Sequence, residues 1–427
     1  MDQMLIAQLI IAVTLILMIS GKTPLYLTAI IGSAIAALVA GYPIKGDEEV
    51  TLMSLINSGL NPVIADMAGV LLFIGVMEKS GFLDAIIRKI ILLGTKIGGG
   101  PGVCTAGGIA SGLVGALTGF TQPAITAVIT GPAAVKLGVD PSKAAGVQAH
   151  AGHFGNFAGF THPTQVAVVA TAAIGFGAIN VIGAITALSI FAFSYIRLVR
   201  EQKKSGKQLT KEEFEEIIKD IKEADDNKAF WFGLIPFLVL VVGFSFGYPV
   251  FVIGVFCAVL TALLAKISLG TSEEAMLKGV ERIAVPLVAT IGFLFMSAVI
   301  KNVGIIDYVS KWFDPLLDIS PELTMLFVSA LTGLITQSNS ASAAIVVPFL
   351  TIVLGYDGVN VLAAAAAAAG GSAVMQYYLT GGPVAALSTT IPVIPGSELK
   401  AANKFQRPSI LGGLGVLFII VALLSFF

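Results

Sequence analysis

Two runs of small polar residues interrupt otherwise apolar sequence, and they define the chemistry open to this chain. The first is Thr121-Gln122-Pro123, preceded by Ala116-Leu117-Thr118-Gly119. The second is Thr336-Gln337-Ser338-Asn339-Ser340, preceded by Ala330-Leu331-Thr332-Gly333. Side-chain hydroxyls and amides can hold a carboxylate or coordinate a small cation. Pro123 lacks an N–H and clashes with the preceding turn, so it can begin a new half-helix. A helix start presents free N–H groups, which suit an anion. Five consecutive small polar residues in an apolar segment are costly unless they are satisfied. The expected substrate or ion ligands are therefore Thr121, Gln122, Thr336, Gln337, Ser338, Asn339 and Ser340.

A second polar tier lies further along each half. Gly152-His153-Phe154-Gly155-Asn156 and His162-Pro163-Thr164-Gln165 form it in the first half. Gly370-Gly371-Ser372 and Gln376-Tyr377-Tyr378-Leu379-Thr380 occupy the matching place in the second. These segments read as hairpin arms whose tips meet the breaks. They would bring Asn156, Thr164, Gln165, Gln376 and Thr380 around the same site.

All 3 histidines fall between His150 and His162. Imidazole titrates near neutral pH, so His153 and His162 are candidates for proton coupling, while His150 reads as structural. Asp66 and Glu78 bracket an apolar span and are acidic candidates for the same role. No metal centre is expected, because no acid stands at ligand spacing from the histidines. The 2 cysteines, Cys104 and Cys257, sit apart in apolar sequence and read as small packing residues. No phosphate loop with its lysine is present, so direct ATP coupling is not expected. Nor is there a nucleophile–base pair, and an enzyme is not expected.

The elements that hold these residues must sit in a membrane. The chain has 427 residues, of which 56% are hydrophobic and only 12% charged. A soluble domain carries about twice that charge. Mean hydropathy is +0.92, and many stretches approach the roughly 20 apolar residues that span a bilayer. Continuous apolar runs, rather than alternating ones, exclude a transmembrane barrel. The fold class is thus an all-α polytopic membrane protein, multi-pass in the inner or plasma membrane of a prokaryote. The net charge of −1 and the lack of a basic domain give no support to a nucleic-acid partner.

Helices are expected over Leu5–Ser20, Pro24–Ala40, Pro62–Met77 and Phe176–Ile196 in the first half. The first of these reads as a span rather than a cleavable signal, since Met1-Asp2-Gln3-Met4 has no basic residue. Phe82–Leu93 reads as an amphipathic surface or linking helix rather than a full span, and Gly98-Gly99-Gly100-Pro101-Gly102 ends it. Asp140 with Pro141 marks a helix start. The second half repeats the plan with Phe230–Phe246, Pro249–Ala265, Val285–Ile300 and a final span over Ile410–Leu424. Leu354-Gly355-Tyr356-Asp357 echoes Leu137-Gly138-Val139-Asp140. Residues 1–196 and 229–427 are therefore expected to be two repeats joined by a charged cytoplasmic linker, 197–228. An odd number of crossings in each makes the repeats inverted, with broken helices and re-entrant hairpins, the architecture of alternating access. The expected function is secondary active transport of a small organic anion, by symport or antiport. A cation/proton antiporter ranks second, because neither break holds an ionisable residue.

The layout resembles the ion transporter superfamily of secondary carriers over nearly the whole chain. Within it, the run from Gly381-Gly382-Pro383 through Pro392, Gly396, Lys400 and Lys404-Phe405 resembles the anaerobic C4-dicarboxylate carriers. The turn Leu137-Gly138-Val139-Asp140-Pro141-Ser142 is similar to a feature of the same family. The resemblance implies a di- or tricarboxylate substrate and no cofactor beyond a coupling ion, Na⁺ or H⁺, or exchange against another anion. It also implies a homodimer with a scaffold part and a moving part in the lipid bilayer. The sodium-coupled branch has paired Ser-Asn-Thr signatures, where this chain has Thr121-Gln122-Pro123 and Ser338-Asn339-Ser340. Citrate, lactate, gluconate and an amino acid accordingly stay open beside succinate, fumarate and malate.

Overall fold

The computed structural model describes residues 2–20, 22–60, 63–118, 124–205, 216, 219, 226–281, 284–379 and 390–426. Apart from turns and one short 3₁₀ helix, Ile391–Val393, the regular structure in these residues is α-helical. The first half contains α1 (Gln3–Ser20), α2 (Leu25–Val39), α3 (Leu52–Asn57), α4 (Val63–Lys79) and α5 (Phe82–Thr118). It continues with α6 (Ala124–Lys136), α7 (Pro141–Ala149), α8 (Ala151–Phe157), α9 (Pro163–Thr171) and α10 (Ala178–Ser205). The second half contains α11 (Asn227–Ser245), α12 (Val250–Ala265), α13 (Leu269–Val280), α14 (Ala284–Asn302) and α15 (Ile305–Leu317). It ends with α16 (Pro321–Thr336), α17 (Asn339–Val353), α18 (Val361–Met375) and α19 (Leu399–Leu424).

Among the described residues, three helices are long and apolar enough to cross a membrane: Phe82–Thr118, Ala178–Lys204 and Leu399–Leu424. Shorter apolar helices of 10–17 residues accompany them, including Pro321–Thr336 and Asn339–Val353. The fold is all-α and polytopic. Large exposed side chains such as Leu9, Ile16, Leu27, Ile31, Val241 and Phe256 form its outer surface, as a lipid-facing surface requires.

Local sequence sets the helix starts. Asp140 accepts the Lys143 N–H at 3.0 Å, with Pro141 at the first helical position. Ser320 caps α16 ahead of Pro321, and Asn360 caps the polyalanine helix α18. Three expectations shift. Phe82–Leu93 is not a free surface helix: it buries Phe82, Leu83, Ile86, Ile91 and Leu92, packs on α11 and runs on into α5. Its glycine punctuation survives as a kink, with Gly98 and Gly99 outside helical geometry. The final helix begins at Leu399 rather than Ile410, so Lys400, Lys404 and Arg407 lie on its first turns. Similarly, α10 carries past Ile196 to Ser205, into the stretch read as linker. Most of that linker lies outside the described residues.

The third apolar helix of each half packs on the other half. α4 is buried against α12 and α13, while α14 packs on α2 and α3. Glycine allows the first crossing. A Cβ on Gly254 would meet the backbone of Gly69, and a Cβ on Gly279 would lie 3.1 Å from the Gly75 Cα. Small residues of this kind let helix backbones approach closely inside a bilayer. Gly75→Val should therefore prevent α13 from seating, a cost of several times the ~1–3 kcal/mol of ordinary overpacking. The check is size-exclusion chromatography of the detergent-purified protein. Gly75→Val should aggregate, whereas Gly270→Val, where a Cβ meets nothing within 4 Å, should elute as wild type.

Candidate functional site

The break between α16 and α17 is built by its own sequence. α16 stops at Thr336, and Gln337 adopts a left-handed conformation, φ 51° and ψ 26°. A non-glycine residue there costs on the order of 1–3 kcal/mol, so the surroundings must impose it. Ser338 is extended and its hydroxyl accepts the Ala341 N–H at 3.2 Å, which restarts the helix. The Thr336 and Ser342 hydroxyls lie 2.8 Å apart. Both reach the Ser338 carbonyl, at 3.1 and 2.8 Å. Thr336, Gln337, Ser338 and Ser340 are half-buried, and Asn339 is buried.

Asn339 ties the break to two other elements. Its N–H donates to Gln376 Oε1 at 3.0 Å, and its Oδ1 accepts from the Ser372 hydroxyl at 2.8 Å. Its carbonyl accepts from the Thr164 hydroxyl at 2.8 Å, and its Nδ2 stands 3.2 Å from His162 Nδ1. His162 Nδ1 also accepts the Thr164 N–H at 3.3 Å, as the cap of α9. That nitrogen is therefore unprotonated here, and Asn339 Nδ2 donates to it. Ser372 and Gln376 come from α18 and its C-terminal cap; His162 and Thr164 come from the start of α9.

The starts of α9 and α17 thus meet at Asn339. Each helix N-terminus carries about half a positive elementary charge from aligned peptide dipoles. Two together make an electropositive spot lined by amides, hydroxyls and an imidazole. A carboxylate fits such a place without a cationic side chain.

The second tier joins through one carbonyl. Ala373 C=O accepts from His153 Nδ1 at 3.1 Å and from Gln376 Nε2 at 3.1 Å. The His153 ring stands edge-on to Tyr377, 4.8 Å between centroids, and the Tyr377 hydroxyl accepts from Asn156 Nδ2 at 3.3 Å. Behind it, His150 stacks 5.5 Å from His153 and bonds Ser194, which bonds Ser409. His150 is thus held in a packed network.

The structure brings together Thr336, Ser338, Asn339, Thr164, Gln376 and His162 directly, and His153 and Asn156 through Ala373 and Tyr377. Gln337 and Ser340 flank Asn339 on the same break. Gln165 is fully buried beside Thr164, and neither of its amide atoms has a hydrogen-bond partner. Asp66 is placed elsewhere: it accepts the Phe251 N–H at 2.9 Å, at the start of α12. Glu78 is exposed near the end of α4. Thr121, Gln122 and Thr380 lie outside the described residues. Among the described residues, no group of three His, Cys, Asp or Glu could hold a metal ion.

Sequence reasoning underrated Ser372, whose signal was a lone hydroxyl in an alanine–glycine helix. Its neighbours explain its reach. A Cβ on Gly333 would lie 2.6 Å from Ser372 Cα, so α16 and α18 touch backbone to backbone. Ser194 and Ser409 carried no signal beyond ordinary packing.

A family model described as "Citrate transporter" matches residues 15–371. Among solved structures, the fold is similar to MtrF of Neisseria gonorrhoeae, assigned to a class of antimetabolite efflux pumps. That likeness has a TM-score of 0.63 at 16% identity and covers 95% of each chain. It is also similar to the YdaH transporter of Alcanivorax borkumensis, with a TM-score of 0.60 at 14% identity over 99% of this chain and 98% of that one. No curated protein sequence matches the chain.

Removing the Asn339 side chain leaves the buried Ser372 hydroxyl without its acceptor and His162 Nδ1 with the Thr164 N–H alone, at ~1–3 kcal/mol for a group so stranded. Asn339→Leu should consequently lower the thermal unfolding midpoint in detergent clearly more than Ser340→Ala, whose site is half-buried. A dye-based melting curve on both variants checks the order.

Proposed function

Because the chain belongs to the citrate transporter family, and so is a secondary transporter of a small organic anion such as citrate or a dicarboxylate, we propose that its substrate binds at the joined starts of α9 and α17. The observation that carries this reading is the convergence of two helix N-termini on Asn339. Thr336, Ser338, Asn339, Ser340, Thr164 and Gln376 would line the site. Gln337, Gln165, Asn156 and the undescribed Thr121, Gln122 and Thr380 complete the proposed set.

The proposal extends to architecture. Residues 1–196 and 229–427 form two inverted repeats around the linker 197–228, with a broken helix at α16–α17 and a re-entrant hairpin at the α8–α9 turn. Support comes from the reciprocal packing of α4 on α12 and α13, and of α14 on α2 and α3. The shared order of landmarks in the two halves points the same way.

Coupling follows from charge. Two helix ends supply about one positive elementary charge, less than a di- or tricarboxylate carries. The remainder falls to Na⁺, to protons or to exchange for a second anion. His153 and His162 are the proton candidates inside the network; Asp66 and Glu78 stand apart from it. The homodimer belongs to the proposal as well. The exposed apolar groove of about 560 Å³ between α1 and α2, lined by Leu9, Val13, Leu17, Leu27, Ile31 and Ile35, is the face a second copy would cover.

The test is uptake of labelled citrate and succinate into proteoliposomes with an inward Na⁺ gradient, an inward H⁺ gradient, or anion preloaded inside. Saturable uptake should appear in one of these conditions, and that condition names the coupling. Asn339→Asp keeps the side chain's shape but sets a negative charge at the helix starts. Uptake should fall at least about tenfold, the equivalent of ~1.4 kcal/mol. Asn339→Asp protein that transports as wild type would remove the anion from this place.

A further inference from the structure

At the turn from α7 into α8, two ring nitrogens are buried with nothing to bond. His150 Nδ1 and His153 Nε2 are enclosed, and neither has a hydrogen-bond partner among the described residues. The other nitrogen of each ring fixes its tautomer. His153 Nδ1 stands 3.1 Å from the Ala373 carbonyl, which can only accept, so Nδ1 carries the proton and Nε2 a lone pair. The Ser194 hydroxyl donates to Ser409 at 2.8 Å, so His150 Nε2 must donate to Ser194, 2.7 Å away, and Nδ1 keeps a lone pair. The rings are neighbours, 5.5 Å between centroids and tilted by 36°. Two buried imidazole lone pairs, each without a donor, thus belong to adjacent rings.

The surrounding elements leave that pair to a small guest. From α10 the charged group is Arg197, whose Nη1 donates to the Phe405 carbonyl and to Ser409. From α5, Cys104 Sγ is turned to the Ala144 carbonyl at 3.4 Å, and α6 presents the uncharged Thr130 to Gln148. From α19, Arg407 is turned to the Tyr378 carbonyl and Asn403. Gln406 of the same helix packs on Gly146, one turn before His150, and both its amide atoms are buried without partners. After α18, Tyr377 stands edge-on to His153, its hydroxyl accepting from Asn156. At the start of α7, Lys143 is paired with Glu201 of α10 at 2.7 Å. A metal ion takes three or more protein ligands, and no such group of His, Cys, Asp or Glu stands among the described residues. A proton needs only one lone pair.

We propose that His150 and His153 together are the proton site of this carrier, taking up one proton as a carboxylate settles at the starts of α9 and α17. This rests on the reading of the α17 start as the substrate site. The proton comes from water, bonds to one of the two lone pairs, and returns to water when the anion leaves. His162 is a poorer holder, since its Nδ1 already accepts from the Thr164 N–H and from Asn339 Nδ2. Three hydrogen bonds tie the pair to the site: Asn339 N–H to Gln376 Oε1 at 3.0 Å, Gln376 Nε2 to the Ala373 carbonyl at 3.1 Å, and His153 Nδ1 to the same carbonyl. In low-dielectric surroundings, an anion at Asn339 strongly attracts an imidazolium behind it. Two imidazolium rings side by side repel, and Arg197 adds to that repulsion, so the pair stops at one proton. By linkage, anion and proton strengthen each other's binding by the same factor.

Each ring can lose its free nitrogen and keep its fixed bond. His153→Asn retains an amide donor for Ala373, and His150→Gln retains one for Ser194. Citrate and succinate are titrated calorimetrically into the purified full-length wild type and both variants, in two buffers of different ionisation enthalpy. At about pH 7.5 the anions are ionised, so the buffer difference counts protons taken up by the protein for each anion bound. Wild type should take up roughly one proton per anion, and each variant less than about half of that. A packing role for the histidines would change affinity and leave the proton count unmoved. Anion binding without proton uptake in wild type overturns the proposal, as does an uptake that both variants keep; the site reading survives either result. Asn339→Asp tests that reading separately. If it binds as well as wild type, or wild type binds neither anion, the site reading fails and the proton site falls with it. The wild-type count depends on no variant, and melting curves confirm that each variant is folded.

Discussion

A helix cannot simply stop inside a membrane. Its last carbonyls and first N–H groups lose their partners, and lipid offers none. Here α16 stops at Thr336 and α17 starts at Asn339, and almost everything near the break answers that need. Ser338 caps the new helix, and Gln376 takes the Asn339 N–H. The Thr164 hydroxyl takes the Asn339 carbonyl, and in doing so brings a second helix start to the first. The arrangement that repairs the break is therefore also the one on which the proposed anion site rests.

The repair depends on closeness, and closeness depends on missing side chains. Ser372 reaches Asn339 because Gly333 and Gly371 let α16 and α18 meet backbone to backbone. The polyalanine run Ala363–Ala369 is wholly buried and serves the same end: methyl groups fill the space without holding the helices apart. In lipid, where apolar surface gains little by leaving its solvent, such packing and the bonds it permits hold helices together.

These two features explain what the sequence made legible. The second break was visible because five polar residues in apolar sequence have few alternative explanations, and the structure places the helix ends within that run. Thr164 and Gln376 were visible through the matching order of the halves. Asn339's partnership with Ser372 was harder to see, since serine in a helix commonly bonds its own backbone. Asp66 stands apart from the Asn339 network for a physical reason: an acid at a membrane helix can serve a neighbour's N-terminus as well as a proton. It stands at the start of α12, a contact 185 residues away in sequence that no local pattern encodes. Phe82–Leu93 misled because an amphipathic stripe does not tell whether water or another helix covers its apolar side. Only the packing of α11 does. The choice between an organic-anion carrier and a cation/proton antiporter rests on the family match, not on the residues alone.

The uncharged character of the proposed site bears on what a carrier must do. A fixed arginine would bind an anion strongly on either side of the membrane, and release would then be slow. It would also carry a full charge through the apolar interior of the membrane whenever the site moved empty, at a large desolvation cost. Helix ends avoid both difficulties. Their charge is a fraction spread over several N–H groups, balanced by the opposite end of the same helix, so the empty site is close to neutral. The attraction is present only at short range, where the carboxylate touches the helix starts. The anion's own charge is thus left for a travelling partner to neutralise. On the proposed site, the substrate would cross readily in company with a coupling ion, or in exchange for another anion, and poorly alone, which is what a secondary transporter requires.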